Sequence, residues 1–162
     1  VPGTYRLRPP RPGEDDLLFA LHRKAMEPYV VATWGPWDDN LQREFWARPR
    51  AGVLSVVEVD GAVCGFVELR ETGGLVEVVN LELGAAWRGR GLGTAILRDV
   101  IRDAHPRPVV LQVLKANPRA RKLYERLGFE PTGETATHIV MRRHPPCAGA
   151  PTLGRSQATS RS

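Results

Sequence analysis

Residues 88–94 read Arg88-Gly89-Arg90-Gly91-Leu92-Gly93-Thr94 and fall between a strand-like run and a helix-like run. Glycine lets a backbone turn tightly and approach a ligand closely. The N-terminus of the following helix offers unpaired N–H groups and the positive end of the helix dipole. Arg88 and Arg90 add charge suited to phosphate oxygens. The stretch therefore reads as an anion site, and a pyrophosphate fits it. A P-loop requires Gly, four residues, then Gly-Lys-Ser/Thr, and no such run occurs. A dinucleotide fingerprint requires G-x-G-x-x-G; Gly89, Gly91 and Gly93 give G-x-G-x-G instead. Both of those readings fail on spacing.

Working outward, the preceding segment is a hairpin series. Val53 to Val59 and Val63 to Leu69 flank Asp60-Gly61, a two-residue turn signal, and Gly73-Gly74 turns the chain again into Leu75 to Leu83. After the glycines, Leu92, Ile96, Leu97, Val100 and Ile101 recur at helical spacing until Pro106 and Pro108. Val109 to Val113 reads as a strand. Pro118 suits a first helical position, and that helix runs to Gly128, a C-terminal stop. Phe129 to Arg142 holds two further strands. Upstream, Tyr5 to Arg8 alternates as a short strand, and Glu14, Asp15 and Asp16 open a helix. Thr33-Trp34-Gly35-Pro36-Trp37 reads as an aromatic loop, and Asp38 or Asp39 caps a second helix through Trp46. The order predicts a mixed α/β, or α+β, layout.

With 162 residues, 42% hydrophobic and 25% charged, the chain reads as one ordinary globular domain. The domain is expected over 1–143. From His144 the composition shifts to Pro, Gly, Ala, Ser, Thr and Arg, so 144–162 is expected to be a disordered tail. No run of 18 apolar residues suggests a membrane span. The first residues lack an apolar signal core, so the expected location is cytoplasmic. Cys64 and Cys147 are too few and too far apart for a disulfide framework. The four histidines lack metal-ligand spacing, so no metal is expected. The net charge of +5 raises the question of nucleic acid. Beyond Glu134, however, Arg142, Arg143, Arg155 and Arg161 meet no acidic residue, so most of the excess sits at the C-terminal end and disfavours that partner.

A second segment bears on the first: Asn117-Pro118-Arg119-Ala120-Arg121-Lys122-Leu123-Tyr124-Glu125-Arg126-Leu127-Gly128-Phe129. Arg-x-x-Gly-x-Gly at 88–93 resembles the signature of GNAT N-acetyltransferases. The Asn-x-x-Ala-x-x-Leu-Tyr run leading to Gly-Phe is similar to that family's second coenzyme A segment. The two lie in the family's order and spacing. The resemblance implies a mostly antiparallel twisted sheet of about seven strands, splayed between the fourth and fifth and flanked by about four helices. It implies acetyl-CoA as cosubstrate. Backbone N–H groups of Arg88, Gly89, Arg90, Gly91, Leu92, Gly93 and Thr94 would hold the pyrophosphate. Backbone groups of Leu81 and Leu83 at the splay would meet the pantetheine arm, with Asn117, Ala120 and Tyr124 on the other side.

Acetyl transfer to an amine needs a neutral amine, donors for the oxyanion and stabilisation of the leaving thiolate. The resemblance implies that Tyr124 is the acid that protonates the thiolate. An alkyl ammonium with a pKa near ~10.4 must lose a proton, and Glu82, Glu77 or water could take it. Strand alternation places Glu77 and Glu82 on opposite faces. Gln112 stands where some protein-acetylating relatives carry a glutamate and cannot act as a base. Tyr29, Trp34, Trp37 and Asp38 form an aromatic, acidic set suited to a cationic acceptor, and His138 in the last strand is a further acceptor-side candidate. The expected acceptor is a small-molecule amine attacking directly in a ternary complex. A protein or aminoacyl-tRNA amine, and a coenzyme A-binding module without turnover, remain the alternatives. The family often forms homodimers.

Overall fold

The structure is a computed structural model that describes residues 4–146. Cys147 and all but the first three residues of the expected tail lie outside the described residues. Seven strands form one sheet: β1 (Tyr5–Arg8), β2 (Val53–Val59), β3 (Ala62–Glu71), β4 (Val76–Leu83), β5 (Val109–Leu114), β6 (Glu130–Glu134) and β7 (His138–Arg143). Four helices join them: α1 (Asp15–Trp34), α2 (Asp39–Trp46), α3 (Leu92–Ala104) and α4 (Pro118–Arg126). The strand order is β1-β2-β3-β4-β5-β7-β6. Every pair is antiparallel except β4–β5. No helix among the described residues is long and apolar enough to cross a membrane.

The helical spacing after Gly91 turns into packing. Leu92, Ile96, Leu97 and Val100 are buried on one sheet face with Val57, Val67, Val78, Leu111 and Met141. Each such side chain contributes about 1.5–3 kcal/mol relative to exposure. Leu18, Val56 and Phe66 form a second cluster on the other face, under α1. Asp38 supplies the cap expected of it: its Oδ1 accepts from the Leu41 N–H at 3.0 Å. The aromatic loop begins later than its composition suggests. Thr33 and Trp34 belong to α1, and the Thr33 hydroxyl donates to the Tyr29 carbonyl at 2.7 Å.

Two features of β3 and β4 position the site. First, the register passes from Glu68↔Asn80 to Leu69↔Val78, so Val79 is an extra residue in β4. A bulge of one residue reverses the facing of everything beyond it. Glu77, Asn80 and Glu82 therefore share one face, which corrects the alternation argument that separated Glu77 from Glu82. Second, β4 pairs with β5 only from Val76↔Val109 to Val78↔Leu111. Beyond the bulge the strands part, and the β5-facing backbone of the last β4 residues is left without a β5 partner. Gly65 lets β3 follow this path, because a Cβ there would lie 2.1 Å from the Glu82 carbonyl oxygen.

A buried charge cluster ties β1 to β2 and to the start of α1. Arg8 Nε donates to Glu58 at 2.7 Å, and its Nη2 donates to Glu14 at 2.7 Å. The Arg8 hydrogen bonds, with the Arg11 N–H, hold the Glu14 carboxyl down at about 2 against an ordinary 4.5. Hydrogen bonds from Arg8 and then Arg6 lower Glu58 as well. Lowered folded-state values give stability that is present above the unfolded value and lost as pH falls through the folded one. Arg8→Met is expected to lower Tm by several degrees at pH 7, because it removes the hydrogen bonds that the Arg8 guanidinium gives to Glu58 and Glu14 in a buried cluster. It should also flatten the fall in wild-type Tm between about pH 4.5 and 2. Thermal melts across that range check both effects.

Candidate active site

The turn after β4 exposes the N-terminal backbone of α3. A single 3-10 turn, Ala85–Trp87, leads into Arg88. Gly89 and Gly91 have φ of 72° and 81°, a region that side chains disfavour. Gly91 is the N-cap of α3, and the first helical bond runs from the Ala95 N–H to the Gly91 carbonyl at 2.9 Å. The N–H groups of Leu92, Gly93 and Thr94 precede that bond and have no carbonyl within the helix.

These donors close one end of a cavity of about 370 Å³. Its floor is Leu81, Glu82 and Leu83 of β4, and α1 contributes Ala25, Met26 and Tyr29. From α4 and its cap come Asn117, Arg119, Ala120, Leu123, Tyr124 and Arg126. The splay makes this space. A larger open groove of about 690 Å³ follows the outer side of α3. Several of its polar groups pair with one another: the Tyr5 hydroxyl donates to Asp99, Arg102 pairs with Asp99, and Arg107 pairs with Glu71. The cavity beside β4 brings residues of the α3 N-terminus together with Tyr124 and Glu82.

Most residues expected at the cofactor line this cavity, with two exceptions. Leu92 is buried in the core, so only its backbone N–H is available. Arg90 lies over the Trp87 ring at 5.7 Å. Arg88 lines the cavity while its Nε donates to the Leu83 carbonyl at 2.8 Å, which braces the turn against the end of β4. Asn117 Oδ1 accepts from the Ala120 N–H at 3.1 Å and caps α4. Arg119 and Arg126, unassigned by the sequence reading, are further cations on the cavity wall. Their spacing with Leu123 follows one helical stripe, and that signal was present in the sequence.

Tyr124 is half-buried, its ring edge-on to Phe129 at 5.9 Å. Burial first, and the Glu82 charge second, push its hydroxyl up to about 12. Glu82 is buried, and both of its oxygens lie 3.0 Å from His22 Nδ1. Burial raises the Glu82 carboxyl above the carboxylate range; His22 draws it back most, then Arg50 and Arg88. The sequence reading missed His22. It falls on the α1 stripe of Leu18 and Ala25, both buried, so its signal was a polar residue at a core position.

Glu77 pairs with Arg70 and does not line the cavity. Gln112 is an exposed residue of β5. The aromatic, acidic set is divided. Tyr29 lines the cavity. Trp34 faces His138 at 6.1 Å, and His138 is lowered by burial. Trp37 packs on His22 and Phe19 and already carries Arg23 over its ring at 5.7 Å. Asp38 is committed to its cap.

The model of the family described as "Acetyltransferase (GNAT) family" matches residues 18–129. A 5-NmdU N-acetyltransferase of Pseudomonas phage PaMx11 is 35% identical over 86 residues, covering 52% of this chain and 61% of that protein. The Homo sapiens N-acetylaspartate synthetase is 29% identical over 129 residues, 76% of this chain and 42% of that protein. The chain thus matches less than two thirds of either relative. In fold, it is similar to the paia N-acetyltransferase of Thermoplasma acidophilum, solved in complex with coenzyme A. That likeness has a TM-score of 0.68 at 15% identity and covers 87% of this chain and 99% of that one.

Proposed function

The chain belongs to the GNAT acetyltransferase family, and on that premise we propose that it acetylates the amine of a small acceptor from acetyl-CoA, by direct attack in a ternary complex. One observation carries the reading: a single cavity is lined by residues of the unpaired α3 N-terminus, by Tyr124 and by Glu82. The residues suit coenzyme A. The N–H groups of 92–94 and the cations Arg119 and Arg126 answer a pyrophosphate. Leu81, Leu83 and Leu123 offer an apolar wall to the pantetheine arm. Acetyl-CoA supplies an activated acyl group and a thiolate leaving group.

The chain's own residues handle the protons. A Glu82 oxygen takes the proton of the acceptor ammonium, and its raised basicity narrows the gap to an amine near ~10.4. Tyr124 Oη offers its hydrogen to the departing sulfur. A phenol held near 12 stays protonated at every working pH. The two groups are coupled: Glu82's negative charge is one cause of Tyr124's weak acidity. Proton uptake by Glu82 therefore makes Tyr124 a stronger acid at the moment the sulfur needs one. Tyr29 lines the cavity on the acceptor side, and the Trp34–His138 pair stands outside that lining.

Acetyl-CoA and coenzyme A at 100 times Kd are each expected to stabilise the protein by about 2.7 kcal/mol, and NAD is not. That is a rise in Tm of roughly 5–10 °C for a domain of this size. Thiol release on adding small amines should follow. No shift with either thioester or thiol would overturn the cofactor assignment.

A further inference from the structure

We propose that His22 is the positioning residue of Glu82, the single side chain among the described residues that hydrogen-bonds its carboxyl group and holds it at the cavity. The inference rests on the reading of Glu82 as the base. Glu82 has a side-chain exposure of 5%, against 20% for His22. Toward an ionised carboxylate, which only accepts, Nδ1 must be the donor. Its single hydrogen is shared between two oxygens at 3.0 Å each.

No other side chain among the described residues donates to Glu82. Arg88 directs its Nε to the Leu83 carbonyl. Arg50, from the connection between α2 and β2, stacks on Trp46 at 4.1 Å and approaches Glu68 of β3 at 3.8 Å. Both cations act on Glu82 only through space. Tyr124 of α4 feels the Glu82 charge without bonding to it. The imidazole is held among Trp46 (5.2 Å), Trp37 (6.0 Å) and Phe19 (6.2 Å). The charged groups on those rings are tied to them or to each other. Asp15 accepts from Trp46 and Asp39 from Trp37, while Arg43 lies over Phe19 and Arg23 over Trp37. The ring thus has one orientation, set by three aromatics, and one polar partner.

Burial alone would neutralise a carboxylate here. A base must be ionised, so activity rises as pH passes through the Glu82 titration. Without the His22 donor, burial acts less opposed and that titration moves to higher pH. His22→Phe is expected to shift the acidic limb of kcat/KM upward by about one unit or more. Activity at pH values below both midpoints should then fall about tenfold and recover at high pH. His22→Asn, whose amide nitrogen stands where Nδ1 stands, should restore the wild-type midpoint. A purely structural histidine would give an equal loss at every pH.

Infrared titration of the free protein, with Glu82→Gln subtracted to isolate the Glu82 carboxyl band, reads the same shift without turnover. Equal Glu82 midpoints in wild type and His22→Phe would overturn the proposal. If Glu82→Gln keeps full activity and its acidic limb, the base reading fails instead, and the infrared midpoints still decide whether His22 holds the carboxylate.

Discussion

Tyr124→Phe is expected to lower kcat by about 10²–10³-fold while acetyl-CoA affinity stays within about twofold of wild type. The substitution keeps the ring and its edge contact with Phe129, so the α4 wall retains its shape. It removes one oxygen facing the cavity. A donor that stabilises charge only as the sulfur leaves contributes to the barrier and not to ground-state binding. Full proton transfer from a phenol near 12 to a thiolate with a thiol pKa near ~8.5 is uphill. On the proposed mechanism the hydroxyl's main contribution is therefore a hydrogen bond that strengthens as charge develops, completed once Glu82 is protonated. Single-turnover kinetics with coenzyme A binding measured in parallel check this. Unchanged kcat would remove Tyr124 from the chemistry.

Gly91→Asp is expected to weaken acetyl-CoA binding by about 100-fold or more, with the fold retained. A Cβ at Gly91 meets nothing within 4 Å, so crowding within the protein is not the cause. The φ of 81° strains a side chain, although aspartate and asparagine tolerate it better than most residues. The dominant effect is a carboxylate placed at the helix N-terminus, where we propose the pyrophosphate binds. Gly91→Asn carries the same backbone strain without the charge and should bind much more tightly than the aspartate variant. Isothermal titration of both variants with coenzyme A separates strain from charge. Equal affinity in the two would sink the electrostatic assignment of the turn.

The legible parts of this protein are the local ones. The glycine turn, the Asp60-Gly61 hairpin, the α3 stripe and the Pro118 start of α4 depend on residues within a few positions of one another. Backbone preference and side-chain period act at that range, so these features were readable before any contact was known. Tyr124 and the 88–94 turn were named from motifs and meet in one cavity. Trp34, Trp37 and Asp38 lie close in sequence yet point to separate tasks, because a helix end, a ring stack and a cap diverge within five residues.

By itself, the sequence determined the elements, the glycine-rich turn before α3 and the membership of the fold class, since each follows from short-range chemistry. Only the tertiary structure decided that Val79 is an extra residue, because a bulge exists in the pairing of β4 with β3 and not in either strand alone. That bulge turns Glu82 to the α1 face, where a histidine 60 residues earlier in the chain reaches it. Long-range pairing set the partner of the buried carboxylate, and with it the proton chemistry open to the site.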